Sequence, residues 1–104
     1  MIRVSVLYPN AEGATFDIDY YVSSHMPMVA GKLGSALKGW SAEYGLAGAT
    51  ANDPAPYLAS GHLTFDSVED FQNSFGPNAE AILADVPNYT AINPVFQIAE
   101  IKAG

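Results

Sequence analysis

Hydrophobic and polar positions alternate at the amino terminus: Ile2, Val4, Val6 and Tyr8 take one face, and Arg3, Ser5 and Leu7 the other. A period of two, rich in β-branched residues, predicts a strand that Pro9-Asn10 ends. After a turn at Glu12-Gly13 the period changes. Ile18, Val22, His25, Val29 and Leu33 recur at helical spacing, with Tyr21 and Met26 flanking the stripe. Asp17 or Asp19 can accept from the free amides where this helix starts. Pro27 lies inside the stripe; it has no amide to donate and crowds residue 23, so a kink or restart just after His25 is predicted. Gly34 and Gly39 bracket the exit.

Alternation resumes from Trp40 to Leu46 and again from Tyr57 to Phe65, where Leu58, Ser60, His62 and Thr64 point one way. The breaker-rich segment from Gly48 to Pro56 joins these two strands as an antiparallel hairpin. Ser67 with Asp70 then resembles a capping box, and opens a helix with the stripe Val68, Phe71, Phe75, Ala79, Ile82 and Val86. Gly76-Pro77 must bend or restart that helix. Pro87-Asn88-Tyr89-Thr90 reads as a turn, and Pro94 to Ile101 as a final strand. The order β-α-β-β-α-β is the ferredoxin-like plan of the α+β class, a four-stranded antiparallel sheet with both helices on one face. The uncovered face, carrying Leu7, Leu58 and one side of the last strand, is expected to pair with a second copy, making a homodimer.

Length and charge narrow the picture. At 104 residues the chain is expected to form one domain spanning 1–104. Only 14% of residues are charged, against about 25% in ordinary soluble domains, which fits surface lost to a pocket or a partner. Eleven Asp and Glu oppose four Lys and Arg, for a net charge of −7. The four basic residues, Arg3, Lys32, Lys38 and Lys102, are scattered, so nucleic acid and anionic membrane surfaces are poor partners. There is no cysteine, hence no disulfide, thiolate or cysteine metal site. No signal-peptide core or membrane-spanning run is found, and the cytoplasm is the expected location.

His25 is the first candidate for chemistry. It lies on the buried stripe beside a proline that frees the carbonyl of residue 23, and an imidazole facing a pocket can move protons at neutral pH. The alternative is a half-buried histidine bonded to backbone. His62 shares a strand face with Ser60 and Thr64, which fits a wet cavity, a polar barrel interior or plain solvent exposure. A metal site would need these two histidines together with an acid such as Glu43, and no ligand spacing signals one. The aromatic residues Tyr20, Tyr21, Trp40, Tyr44, Tyr57 and Tyr89, with methionines beside His25, suit either a small apolar ligand or ordinary packing. Phosphate loops, dinucleotide fingerprints and nucleophile elbows are lacking, which disfavours nucleotide-dependent enzymes and serine hydrolases.

The segment Phe16-Asp17-Ile18-Asp19-Tyr20-Tyr21-Val22-Ser23-Ser24-His25-Met26-Pro27-Met28-Val29 resembles the signature of the EthD family: a Phe-Asp start, a Tyr-Tyr pair, then His-Met-Pro-Leu-Val. Met28 stands where leucine is commoner, a swap that conserves volume. Gly61-His62-Leu63, Asp66-Ser67-Val68-Glu69, Phe75-Gly76-Pro77 and Pro87-Asn88-Tyr89-Thr90 extend the likeness from about Ile2 to Ile101. The resemblance implies a dimeric α/β barrel of two ferredoxin-like subunits. It also implies a link to ethyl tert-butyl ether degradation, and a ligand cleft between sheet and helices that His25 faces. Relatives in that barrel superfamily include cofactor-free monooxygenases, lactone isomerases and haem-binding enzymes.

Two functions follow as expectations. One is an enzyme of xenobiotic or secondary-metabolite breakdown acting on an apolar or aromatic molecule. It would use His25 as acid/base, and Tyr21, Val29, Trp40, His62 and Tyr89 would line the site. Its reaction would be a cofactor-free oxidation or an isomerisation, with no cofactor or metal. The other is a non-catalytic binder that supports an oxygenase pathway. Haem, with His25 as axial ligand, ranks below both because few basic residues remain for its propionates.

Overall fold

The computed structural model describes residues 1–104. Four strands, β1 (Ile2–Pro9), β2 (Gly39–Tyr44), β3 (Tyr57–Phe65) and β4 (Val95–Glu100), form one sheet in the order β2-β3-β1-β4. All three pairings are antiparallel. Strand β2 ends two residues earlier than its alternation suggests, because the chain leaves the sheet at Gly45 and Leu46 stands 91% exposed.

The first helical region is built in pieces. Helix α1 (Ile18–Tyr20) is capped by the Asp17 carboxylate, which accepts from the Tyr20 amide. Residues Tyr21–His25 then form a π-helical turn in which the Met26 amide donates to the Tyr21 carbonyl. Helix α2 (Met26–Leu33) restarts with Pro27 in its first turn, where a missing amide costs nothing. The widened turn corrects one expectation. It rotates the residues before it, so Tyr21 faces the sheet, 1% exposed, whereas Val22 is turned out at 39%.

The second helical region breaks in the same way. Helix α3 (Val68–Phe75) starts on the Ser67 hydroxyl, which accepts from the Asp70 amide. A 3₁₀ turn at Gly76–Asn78 separates it from α4 (Ala79–Ala84), and a second one follows at Val86–Asn88. Its stripe begins later than expected, since Val68 is exposed and Phe71 is the first residue to be buried.

One cluster of buried residues joins the sheet to the helices: Val4, Tyr8, Ala59, Leu63 and Phe65 from the strands meet Tyr21, Met26, Val29, Phe71 and Ile82. The opposite sheet face is more polar than Leu7 and Leu58 suggest. There Ser5 donates to His62 Nδ1 at 2.9 Å or accepts from it, and Ser60 donates to Glu43 Oε1 at 3.0 Å. Within the sheet, most of the large exposed apolar side chains lie on the edge strands, with Val95, Phe96 and Ile98 on β4, and Trp40 and Tyr44 on β2.

Gly61 places a close approach at the centre of the sheet. A Cβ there would overlap the Tyr21 hydroxyl, and Tyr21 is too buried to withdraw. Gly61→Ala should therefore cost about 1–3 kcal/mol of folding stability, read from urea unfolding. A change below about 0.5 kcal/mol would mean that Tyr21 repacks freely.

Candidate active site

The π turn and the restart at Pro27 set His25 and Tyr21 inward together, their rings stacked with centroids 5.3 Å apart. The turn after α4 brings Asp85 and Tyr89 up to the same point. Asp85 Oδ2 lies 2.8 Å from His25 Nδ1. Its other oxygen accepts from the Tyr20 hydroxyl and from the Asn88 side-chain amide, each at 2.8 Å. On the far side of the imidazole, Nε2 lies 3.4 Å from the Tyr89 hydroxyl, which is 2.6 Å from that of Tyr8. The polar atoms form a row from the surface inward: Asp85, His25, Tyr89, Tyr8.

The electrostatics give each member a defined state. Burial pushes the His25 pKa down, and although the Asp85 hydrogen bond and charge oppose this, the net shift is below the ordinary 6.5. The imidazole is neutral at pH 7. Burial raises the pKa of the Asp85 carboxyl, but the hydrogen bonds from Asn88, His25 and Tyr20 outweigh it and hold the carboxyl below its usual range. An ionised Asp85 keeps the imidazole proton on Nδ1 and leaves a lone pair on Nε2. Burial also pushes the hydroxyls of Tyr8, Tyr21 and Tyr89 upward, so all three stay protonated.

A pH dependence follows. Below pH 6.5 the unfolded chain takes up a proton that buried His25 refuses, so stability declines as pH falls through that value. Asp85 acts in the same direction nearer 3.8, where the unfolded carboxylate protonates first. Urea midpoints measured across this range should show the decline in the wild type and a flatter profile near 6.5 in His25→Gln. An unchanged profile in the variant would mean that folding does not shift the His25 pKa.

Beside this row lies a cavity of about 30 Å³ between the sheet and the helices. A water needs about 10–15 Å³ by the same measure, so the cleft has room for a water or two. Val6, Val29, Leu63, Ile82 and Val86 make apolar walls, with His25, Tyr8, Tyr21 and Tyr89 at one end. Phe75, Leu83, Pro94 and Phe96 line the rest, and Leu83 and Phe96 are partly exposed, which places the mouth between α4 and β4. No charged side chain lines it.

Of the residues singled out from sequence, His25, Tyr21, Val29 and Tyr89 meet at this cavity; Trp40 and His62 do not. Trp40 pairs with Leu63 on β2, an edge strand away from the cleft, and is partly exposed. His62 points to the opposite sheet face because it is one residue from Gly61, and strand neighbours alternate. It lies 3.2 Å from Glu43 there and shares no site with His25. Asp85 and Tyr8 are members that the sequence pattern does not single out, and it offers Tyr20 only as one of several aromatic residues. An acidic residue just past the end of a helix, where the dipole disfavours it, was the available signal for Asp85.

The family model for the EthD domain matches residues 12–93, which hold the capped helix, the π turn, Asp85 and Tyr89. The chain belongs to the EthD family. An EthD-like protein from Ralstonia eutropha JMP134 is 43% identical to it and superposes with a TM-score of 0.94, the alignment covering 98% of this chain and 92% of that one. An ethyl tert-butyl ether (EthD) family protein from Bacillus halodurans C-125 is 16% identical, with a TM-score of 0.73 over 97% of this chain and 98% of that one. A protein from Thermobifida fusca YX described as a dimeric ferredoxin-like protein of unknown function is 20% identical, with a TM-score of 0.59 over 96% and 90%. Comparison with curated proteins gives no match. The ferredoxin-like α+β fold of this EthD domain agrees with these neighbours, and none of its helices is long and apolar enough to cross a membrane.

Proposed function

We propose that this EthD domain takes a small, neutral, apolar or aromatic molecule into the cleft and moves a proton on it with His25, as a step in xenobiotic or secondary-metabolite breakdown. One observation carries the reading: buried His25, paired with the half-buried Asp85, holds an unprotonated Nε2 at the end of an apolar cavity. A neutral imidazole fixed in that tautomer is a general base, and once protonated it is the acid that returns the proton. An isomerisation needs nothing more. A cofactor-free oxidation would begin with the same proton removal and would use dioxygen as its oxidant.

The protein is proposed to work as a cytoplasmic homodimer. The exposed apolar side chains of β4 and the description of the Thermobifida neighbour as dimeric support that assembly. A second reading, a non-catalytic binder, is favoured by the predominance of apolar side chains in the lining of the cleft.

Small phenols, enones and lactones incubated with the protein in heavy water, followed by NMR, separate the two. A base exchanges or shifts carbon-bound hydrogen, and His25→Gln lowers that rate about 10²-fold or more. Ligand-observed binding without any His25-dependent exchange would establish the binder.

A further inference from the structure

The cavity end of the site leaves two hydrogen-bonding functions poorly used, side by side. The 2.6 Å contact between the Tyr8 and Tyr89 hydroxyls holds one proton. When Tyr8 supplies it, the Tyr89 proton has only His25 Nε2 to reach, at 3.4 Å. That is long for an O–H donor, whose good contacts fall near 2.7–3.0 Å. A donor and an acceptor so close together suit a single atom that accepts from one and donates to the other. That atom is a hydroxyl oxygen.

The rest of the cleft selects the body that carries the hydroxyl. Its walls are apolar and aromatic, and Arg3, Lys32, Lys38 and Lys102 are absent from them, so a carboxylate or phosphate would enter without a counter-charge. Among neutral hydroxyl compounds, a phenol acidified by an electron-withdrawing substituent comes nearest to giving its proton to a neutral imidazole, and its ring fits the aromatic lining. We propose that the cleft binds a small neutral phenol, with its one oxygen bridging the Tyr89 hydroxyl and His25 Nε2.

This deepens the proton-transfer reading and rests on it. The phenol O–H bond breaks, its proton joins the Nε2 lone pair, and the bonding electrons stay on oxygen and spread into the ring. Tyr89, backed by Tyr8, donates to the resulting phenolate, and Asp85 bonds the imidazolium at Nδ1. The titratable groups around His25 are Asp85, Tyr21 and Tyr89, with Tyr8 behind, and only Asp85 is charged at neutral pH. Because the cleft as it stands has room for only a water or two, binding requires Leu83 and Phe96 to part at the mouth and the apolar walls to widen around the ring.

The probe is 4-nitrophenol, whose phenolate absorbs in the visible, held well below its solution pKa, with 4-nitrotoluene and 4-nitrobenzoate as controls of the same body. The expected result is a visible phenolate band on binding, tighter binding than either control, loss of the band in His25→Gln, and about tenfold weaker binding in Tyr89→Phe. Tyr8→Phe serves as the second variant if Tyr89→Phe does not fold, with a smaller loss expected. Equal binding of 4-nitrophenol and 4-nitrotoluene, a missing band, or no binding at all would overturn the proposal. His25-dependent turnover with no preference for the phenol overturns this proposal alone. A His25-dependent band without turnover of any compound supports the phenol site and overturns the catalytic reading.

Discussion

Asp85→Asn is expected to lower turnover about 10⁴-fold while leaving the fold in place, the scale seen where a buried Asp–His pair loses its charge in other enzymes. Asparagine keeps an oxygen for the Tyr20 hydroxyl and the Asn88 amide, both of which donate to Asp85 Oδ1 in the wild type. What changes is the atom facing His25. An amide nitrogen in the place of Oδ2 donates to Nδ1, so the imidazole proton moves to Nε2, where the lone pair is required. The variant carries the right ring in the wrong tautomer. Its kcat should fall far more than its KM rises, because the cavity lining includes His25 and not Asp85, so a molecule in the cleft would meet the imidazole and not the carboxylate. Asp85→Glu, with the charge kept and the geometry displaced, should recover part of the rate. Turnover within threefold of wild type in Asp85→Asn would mean that His25 does not act as a base through Nε2.

How much of this was legible in the sequence depended on the range of the interaction. Strand and helix periods are local, and so is a proline's missing amide: β3 was read at Tyr57–Phe65, and the restart after His25 follows from Pro27. Helix caps are equally local, as Asp17 and Ser67 illustrate. The outward turn of Val22 was not legible, because a π turn is chosen by what the widened backbone can bury and leaves no periodicity of its own. The Asp85–His25 contact spans sixty residues of sequence separation and forms only after both helical regions dock on the sheet. Tyr8 and Tyr89 are farther apart still, eighty-one residues, and each alone reads as a core aromatic with a polar tip. The misplacement of His62 has a simpler cause. Its strand was read correctly, but which face a strand turns to the helices is settled by the whole sheet, and the apolar set of β3 is Ala59, Gly61, Leu63 and Phe65.

Phe65→Ala is expected to cost about 3–5 kcal/mol of stability, a large part of what a domain of this size possesses. Phe65 is fully buried at the end of β3, opposite Ile2 in the register. Its ring meets the edge of Phe71 at 5.3 Å, Phe71 stacks on Phe75 at 5.2 Å, and Phe75 tilts against Phe96 at 6.2 Å. This ladder runs from the deepest part of the core, through Phe75 in the cavity lining, to Phe96 at the mouth. Removing its first rung leaves a void beneath α3, so the rings above lose the surface that orients them. Two consequences should therefore appear together. Urea unfolding should show the lost stability at an unchanged m-value, and the mouth should open more readily, raising the association rate of a cleft ligand such as 4-nitrophenol. Phe96→Ala separates the effects, since Phe96 is 43% exposed and its loss should open the mouth at a much smaller cost in stability. If Phe65→Ala loses less than about 1.5 kcal/mol, or if neither variant changes the association rate, the aromatic ladder does not couple the core to the cleft.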